Sequence, residues 1–337
     1  MDSLTHIVLG AAIGEAMLGK KIGKKGMLWG ALANSLPDID VLANFFTNPV
    51  NALIIHRGIT HSFFFALLIS PLLAYLLNKK FLDHSLTYKN WLLFFLTAIV
   101  AHDVIDLFTA YGTGLLEPFS HQRFSTNSIF VADPFYTLPL LVSFIILLIL
   151  KAISTKRRVV NRAAIILSTG YLIFTFINKN HVQKIVSENL SAQNIPQKDF
   201  VASPAPLNNI LWYVIAKNDT GYFTGYYSDF DADKKIAFHY IPRNDVFLEN
   251  FHNDPVIDKL KCFSHGYYTI TKNETGEIFF NDMRFGQAAG WIKPDSKFVF
   301  RYGLINSSDN VTIIKRTDID VSFSEAFRTL IKRIKGK

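Results

Sequence analysis

Residues Asn90-Trp-Leu-Leu-Phe-Phe-Leu-Thr-Ala-Ile-Val-Ala-His102-Asp103-Val-Ile-Asp106-Leu-Phe-Thr109 set a long apolar run against a terminal cluster of ionisable groups. The run has about the length a membrane helix needs, roughly 20 residues. Ionisable groups are costly in that setting unless they pair, bind an ion or face water. His102 and Asp106 are spaced i, i+4, so their side chains share one helix face, one turn apart. A rigid element can in this way offer two convergent ligands to a metal. Asp103 points elsewhere and reads as a carboxylate able to orient a histidine from behind the ligands. The competing reading is a hydrogen-bonded pair at a helix end.

Four further polar clusters lie in otherwise apolar sequence: Asp2 to His6, Pro37 to Asp40, His56 to Ser62, and Glu117 to Asp133. His and Asp are the usual ligands of a hydrolytic zinc or similar ion. Asp2 and His6 repeat the i, i+4 spacing, although Asp2 also suits a helix N-cap. Pro37 and the i, i+2 spacing of Asp38 and Asp40 indicate a turn. Both carboxylates are candidate ligands there, against the reading of two solvated turn residues. His56 and His61 could converge across Gly58, with Thr60 or Ser62 capping the next helix. In the fifth cluster Arg123 suits a phosphate clamp, because its planar fork binds oxyanions bidentately. An Arg touching lipid headgroups is the alternative. No His-Glu-x-x-His and no Gly-x-Ser-x-Gly string occurs, which argues against zincin protease and serine hydrolase templates.

The apolar pattern predicts about six helices, near 3–18, 27–45, 62–78, 90–109, 134–151 and 163–179. The 337-residue chain is 50% hydrophobic and 18% charged, more apolar than a typical soluble domain. Its single Cys262 excludes an internal disulfide and a cysteine metal cluster. Much of the +8 net charge sits in three short segments, Lys20 to Lys25, Lys79 to Lys89 and Lys151 to Arg162. Each separates two apolar runs, which is the positive-inside pattern of a multi-pass membrane protein. It does not suit a nucleic-acid binder, which needs a basic patch on a folded surface. With those segments cytoplasmic, six alternating helices place every candidate ligand on the extracytoplasmic face. Asp2 and His6 stand where the basic region of a signal peptide would be.

Composition changes near residue 180. The polar stretch 181–208, with Pro196, Pro204 and Pro206, reads as a linker. Beyond it, residues 209–337 read as an extracytoplasmic β-rich domain. Its predicted strands include Ile210–Ala216, Gly221–Tyr227, Lys235–Ile241, Gly266–Ile270, Glu277–Phe280 and Lys297–Tyr302. Asn218 to Gly221 and Asn273 to Gly276 are tight-turn sequences. Asp282 to Gly286 reads as a strand end and turn that could face a substrate, and a basic helix closes the chain from Glu325 to Lys335. The expected fold is thus an α-helical membrane domain of about six helices over 1–180, followed by a small antiparallel β domain.

At these clusters the chain resembles a known family, the bacterial inner-membrane metal-dependent hydrolases typified by YdjM and known as LexA-regulated. The resemblance rests on Asp2 to His6, Pro37 to Asp40, His56 to Ser62 and Ala101 to Gly112, and it covers roughly residues 1–180. A remoter similarity is to the zinc-dependent phospholipase C and single-strand nuclease superfamily, whose zinc ions are held by His and Asp. Its His-x-x-x-Asp pair corresponds to His102 and Asp106, and His6, Asp40 and His61 match further ligands. No His-x-x-x-Glu pattern for a third zinc is present, which favours one or two ions.

The expectation that follows is a membrane-embedded hydrolase of phosphoester bonds in a lipid or lipid-linked substrate. The ion, zinc or alternatively manganese, would sit on His6, Asp40, His61, His102 and Asp106. Asp38 or Asp103 would act as general base, and His56 or Arg57 would contact the transferred or leaving group, with Arg123 as clamp. The rivals are a transporter, or a sensor or structural protein in which the metal only braces the fold.

Overall fold

The computed structural model describes residues 1–80, 86–251, 254–307, 310–316 and 321–336. They form two compact units, the first built from 1–45, 55–177 and 206–208, the second from 46–54, 178–205 and 209–337. The first unit is helical. It contains α1 (Ser3–Ile22), α2 (Lys25–Asn34), α4 (Phe63–Lys80), α5 (Tyr88–Leu107), α6 (Pro134–Ile149) and the first part of α7 (Lys156–Ala192). The short α3 (Pro49–Ile55) falls almost wholly in the second unit. There Val50 is buried with Leu248, Ile257 and Leu260.

Among the described residues α4, α5 and α7 are long and apolar enough to cross a membrane, and α6 is a shorter apolar helix. Helices α1 and α2 form a tight hairpin turned at Gly23, which has φ +62°. Gly10 and Gly14 of α1 face Gly26 and Gly30 of α2. A Cβ on Gly14 would collide with the Gly26 carbonyl oxygen, and one on Gly30 with that of Gly10. Small residues let two helix backbones approach this closely. Because the hairpin is antiparallel, the start of α1 and the exit of α2 lie at the same end.

The helix predicted over 27–45 is broken. α2 stops at Asn34, and a 3-10 segment runs from Pro37 to Phe45. Proline lacks the N–H that continues a helix and disfavours helical backbone at the residue before it. Arg157, read from the sequence as a loop cation, is instead buried. Its Nε and Nη2 donate to the two Glu15 carboxylate oxygens at 2.8 and 2.6 Å. Its Nη1 donates to the Leu147 and Leu150 carbonyls at 2.5 and 3.1 Å. This group ties α1 to α7 and to the end of α6.

Helix α7 runs 37 residues, through part of the stretch whose polar composition reads as a linker. Val182, Ile185, Val186 and Leu190 bury one face of it against Ala202, Trp212 and Val214. Their 3–4 residue spacing is that of an amphipathic helix. The second unit then forms two antiparallel four-stranded sheets. One is β1 (Asp199–Pro204), β2 (Leu211–Lys217), β3 (Gly221–Ser228) and β4 (His239–Pro242). The other is β5 (Tyr268–Lys272), β6 (Ile278–Gln287), β7 (Phe298–Ser307) and β8 (Asn310–Arg316). The two tight-turn sequences join β2 to β3 and β5 to β6, as their Asn and Gly residues require. Of the run 235–241 only the end is a strand. Asp282 and Arg284 are buried within β6 and pair with each other, with Arg284 over the Phe263 and Phe285 rings. Two further helices complete the unit, α8 (Pro255–Phe263) and α9 (Phe323–Ile334).

Candidate metal centre

The hairpin, the 3-10 segment after it, the turn before α4 and the end of α5 meet at one end of the first unit. Asp2 caps α1, its Oδ1 accepting from the Thr5 N–H at 3.1 Å. His6, one turn further on, is buried and stacks on His102, with ring centroids 3.7 Å apart. His61, His102 and Asp106 are buried too, while Asp38 and His56 keep 23% and 26% of their side chains exposed. The centre is therefore least covered at Asp38 and His56.

The hydrogen bonds behind the histidines decide what their front atoms are. His102 Nδ1 lies 2.5 Å from the Asn34 carbonyl oxygen. A carbonyl only accepts, so Nδ1 carries the proton and the Nε2 of neutral His102 presents a lone pair. His61 Nδ1 lies 3.1 Å from Thr60 Oγ1, whose own proton goes to Asp40 Oδ2, and 3.2 Å from Asp40 Oδ2, which likewise places a proton on Nδ1. The two Nε2 atoms then face each other at 3.0 Å. Two lone pairs at that distance repel, so a positive species is needed between them, either a proton on His61 or a cation. Asp38 Oδ1 lies 3.4 Å from His61 Nε2 and 3.7 Å from His102 Nε2. Asp106 Oδ2 lies 3.5 and 3.6 Å from the same atoms.

These separations test whether an ion fits. The ligands of a tetrahedral zinc at about 2.0–2.1 Å stand roughly 3.3 Å from one another. The five distances just given, 3.0–3.7 Å, are of that size. His6 adds a further donor, with Nε2 3.2 Å from Asp106 Oδ1 but not aligned for a hydrogen bond. Asp106 Oδ2 also lacks an aligned hydrogen bond. Imidazole and carboxylate form a donor set suited to a divalent transition metal. These buried His and Asp groups could hold such an ion.

The remaining predicted residues take other positions. Asp40 turns away from the two Nε2 atoms. Its Oδ1 meets His56 Nδ1 at 2.8 Å, and its Oδ2 accepts from the Arg57 N–H at 3.0 Å and Thr60 Oγ1 at 2.8 Å, besides His61. Arg57 has a left-handed backbone, φ 59°, which is sparsely populated for a side chain of this kind and is found mainly where surroundings enforce it. That turn aims its N–H at Asp40 and its Nε at Asp106 Oδ2, 3.0 Å away. Its Nη1 donates to Thr109 Oγ1 at 2.7 Å, and its guanidinium lies over the Tyr111 ring. The Met1 amino group also contacts Asp106 Oδ1. Asp103 is buried with no hydrogen-bond partner on either oxygen among the described residues. Arg123 Nη1 donates to the His56 carbonyl at 3.0 Å and reaches those of Arg57 and Gly112 at 3.4 Å. Glu117 pairs with the exposed His121.

Burial disfavours charge on His61, but its hydrogen bonds to Asp38 and Asp40 and the charge of Asp106 overcome this and push its pKa up to about 9. In the metal-free protein His61 is therefore an imidazolium near neutral pH, its second proton lying between the two Nε2 atoms. Asn34, Thr109 and Tyr111 were not singled out in the sequence, and Thr60, read there as a helix cap, instead donates to Asp40 Oδ2. Of these, Thr109 and Tyr111 lie inside the Ala101 to Gly112 string, and Asn34 carried no signal.

The family model described as YdjM inner membrane protein matches residues 1–182. The chain is 34% identical over 145 residues to the uncharacterized protein YfhP of Bacillus subtilis (strain 168), an alignment covering 40% of this chain and 42% of YfhP. It is 32% identical over 123 residues to the inner membrane protein YbcI of Escherichia coli (strain K12), covering 36% of this chain and 69% of YbcI. This chain thus spans less than half of YfhP. No solved structure matches. The likeness to the phospholipase C superfamily rests on residue spacing alone. The apolar helices and the family match together place the protein in the inner membrane. The matched segment carries every buried His and Asp of the candidate centre, and by it the chain belongs to the YdjM inner membrane protein family.

Proposed function

We propose that this protein is a metal-dependent hydrolase of the inner membrane, acting on phosphoester bonds in a lipid or lipid-linked substrate. The observation that carries the proposal is the set of facing atoms, His61 Nε2, His102 Nε2, Asp38 Oδ1 and Asp106 Oδ2, at 3.0–3.7 Å. These four would hold a divalent ion, zinc or manganese, with His6 Nε2 as a further donor for the same ion or a second. Such an ion lowers the pKa of a bound water toward neutrality and polarises a phosphoryl oxygen. Asp40 and the Asn34 carbonyl keep the ligand tautomers of His61 and His102. Asp103, free of hydrogen bonds among the described residues, is the carboxylate left to take a proton. Arg57 supplies the positive charge nearest a bound anion, and His56, at the least covered edge, meets the leaving group. Arg123 positions the His56–Arg57 turn through its carbonyls.

Ile39, Leu42, Phe45 and Ile59 are exposed on the segments that carry Asp38 and His61. That apolar rim favours a lipid substrate entering laterally, and the charge alternation of the sequence favours the outer leaflet. The test is the metal content of detergent-purified protein by mass spectrometry, beside the double variant His102→Ala/Asp106→Ala. Stoichiometric zinc or manganese in the wild type, lost in the variant, is expected, followed by turnover of a phospholipid or lipid phosphate. Well-folded wild type without metal, prepared without chelator, would refute the proposal.

One observation favours a second reading. If His61, His102, Asp38 and Asp106 all bound one ion, it would have four protein ligands, the pattern of a closed structural site, whereas catalytic zinc keeps an open position. Cobalt substitution separates the two. A visible spectrum that changes on adding phosphate means an open position, and an insensitive one means a metal that only braces the fold.

A further inference from the structure

Helix α9 is the last described element of the second unit, and its circumference divides into a packed, an exposed apolar and a basic arc. On one side Leu330 packs with Ala205 and Leu211. Arg333 donates to both Asp231 oxygens at 2.7 and 2.8 Å, and Trp291 Nε1 donates to Thr329 Oγ1 at 3.2 Å. The helix is thus anchored to the sheet and has a fixed rotation. Next to that packed face, between it and the basic residues, Phe323, Phe327 and Ile331 are exposed by 82%, 46% and 40%, and the two phenylalanine rings stack at 6.2 Å. At 3.6 residues per turn these three cover an arc of about 80°. Exposed Arg328, Lys332 and Lys335 fall on the next arc, about 120–180° from Phe323.

An apolar stripe bordered by cations is the pattern of a helix lying in a bilayer interface. The stripe sinks below the headgroups, and the long basic side chains extend to the phosphates. The chain is itself embedded in a membrane, so a lipid surface is tethered to it and always at hand. Two copies meeting through this face would bring their basic arcs together, which argues against self-association. We propose that α9 is an interfacial anchor whose exposed face binds anionic phospholipid of the bilayer in which the protein sits. This inference does not depend on the metal centre.

The test uses the full chain, one copy per nanodisc, in a Cys262→Ser background. An environment-sensitive fluorophore is placed at Phe323→Cys or at Glu325→Cys, the latter about 160° from the centre of the stripe. Discs contain phosphatidylcholine alone or mixed with phosphatidylglycerol, with brominated acyl chains as quenchers. The expected result is bromolipid quenching and a blue shift at position 323, absent at 325, and stronger in anionic discs. Replacing Arg328, Lys332 and Lys335 by Gln should weaken this engagement about fivefold for each cation removed. None of these exposed side chains is part of the packed face, so the variants keep the fold, checked by the unchanged melting of the second unit. Equal access of aqueous iodide to both positions with no bromolipid quenching would overturn the proposal. So would quenching indifferent to phosphatidylglycerol and to the three substitutions. Protection from iodide without bromolipid quenching would also overturn it, because the stripe would then be covered by protein.

Discussion

Asp38 and Asp40 are two residues apart, yet they face opposite sides of His61, and substituting each separately tests the whole arrangement. Asp40→Asn keeps the size of the side chain and removes an acceptor. Asp40 Oδ2 takes three donors, the Arg57 N–H, Thr60 Oγ1 and His61 Nδ1. Oδ1 takes His56 Nδ1. An amide nitrogen in the Oδ2 place confronts the Arg57 N–H, a fixed donor, and one in the Oδ1 place forces His56 to move its proton off Nδ1. If the amide nitrogen faces His61, the ring gains by moving its proton to Nε2, which removes the lone pair offered to the ion. Losing a partner of this kind behind a metal ligand typically costs 10- to 100-fold in affinity, about 1.4–2.8 kcal/mol. Asp38→Asn replaces a charged oxygen lying 3.4 Å from His61 Nε2 and 3.7 Å from His102 Nε2. It should therefore lose more than Asp40→Asn. The assay is zinc affinity of each purified variant by competition with a chromophoric chelator. Affinity unaltered in Asp40→Asn, or lost more completely there than in Asp38→Asn, would refute the division of roles between the two carboxylates.

Metal binding should release about one proton at pH 7, because His61 is held protonated up to about pH 9 in the metal-free state. The dependence of the calorimetric enthalpy on buffer ionisation measures it, and apparent zinc affinity should rise with pH up to about 9. The raised pKa also fixes the sign for the metal-free fold. The stabilisation by imidazolium His61 is complete below about pH 6.5 and is lost as pH rises through about 9, which chelated protein should report in its melting temperature. Glu15→Gln leaves Arg157 buried without its carboxylate and should destabilise the helical unit by about 3–5 kcal/mol. Glu15→Met with Arg157→Met should recover much of that loss in thermal unfolding, since removing both charges leaves none unpaired. Gly14→Val should prevent closure of the α1–α2 hairpin, because even a Cβ there meets the Gly26 backbone. Purified Gly14→Val protein should therefore carry substoichiometric metal, and full metal content would show that hairpin closure is not required.

The helical first part, the β-rich second part and the identity of the polar clusters were legible in the residues themselves. Those features depend on local quantities. Apolar run length, a 3.6-residue period and Asn-Gly turns act over a few neighbours, so 90–109 could be placed on a helix and His102 with Asp106 on one face. The same local view misjudged 27–45, where Pro37 ends the helix, and Arg157, whose partner Glu15 is 142 residues away. It also read α7 as ending early, because the face buried against the sheet is apolar only every third or fourth residue.

By itself, then, the sequence determined that His and Asp clusters lie in a membrane-bound chain, because composition and spacing suffice for that. Only the tertiary structure decided which of those atoms face one another. Asp38 rather than Asp40 faces His61 Nε2 because a 3-10 segment turns two neighbouring carboxylates in different directions. His102 presents Nε2 because a carbonyl 68 residues away takes its other proton. A lone pair's direction depends on a ring's rotation and on the partner behind it, and that partner comes from a distant part of the chain.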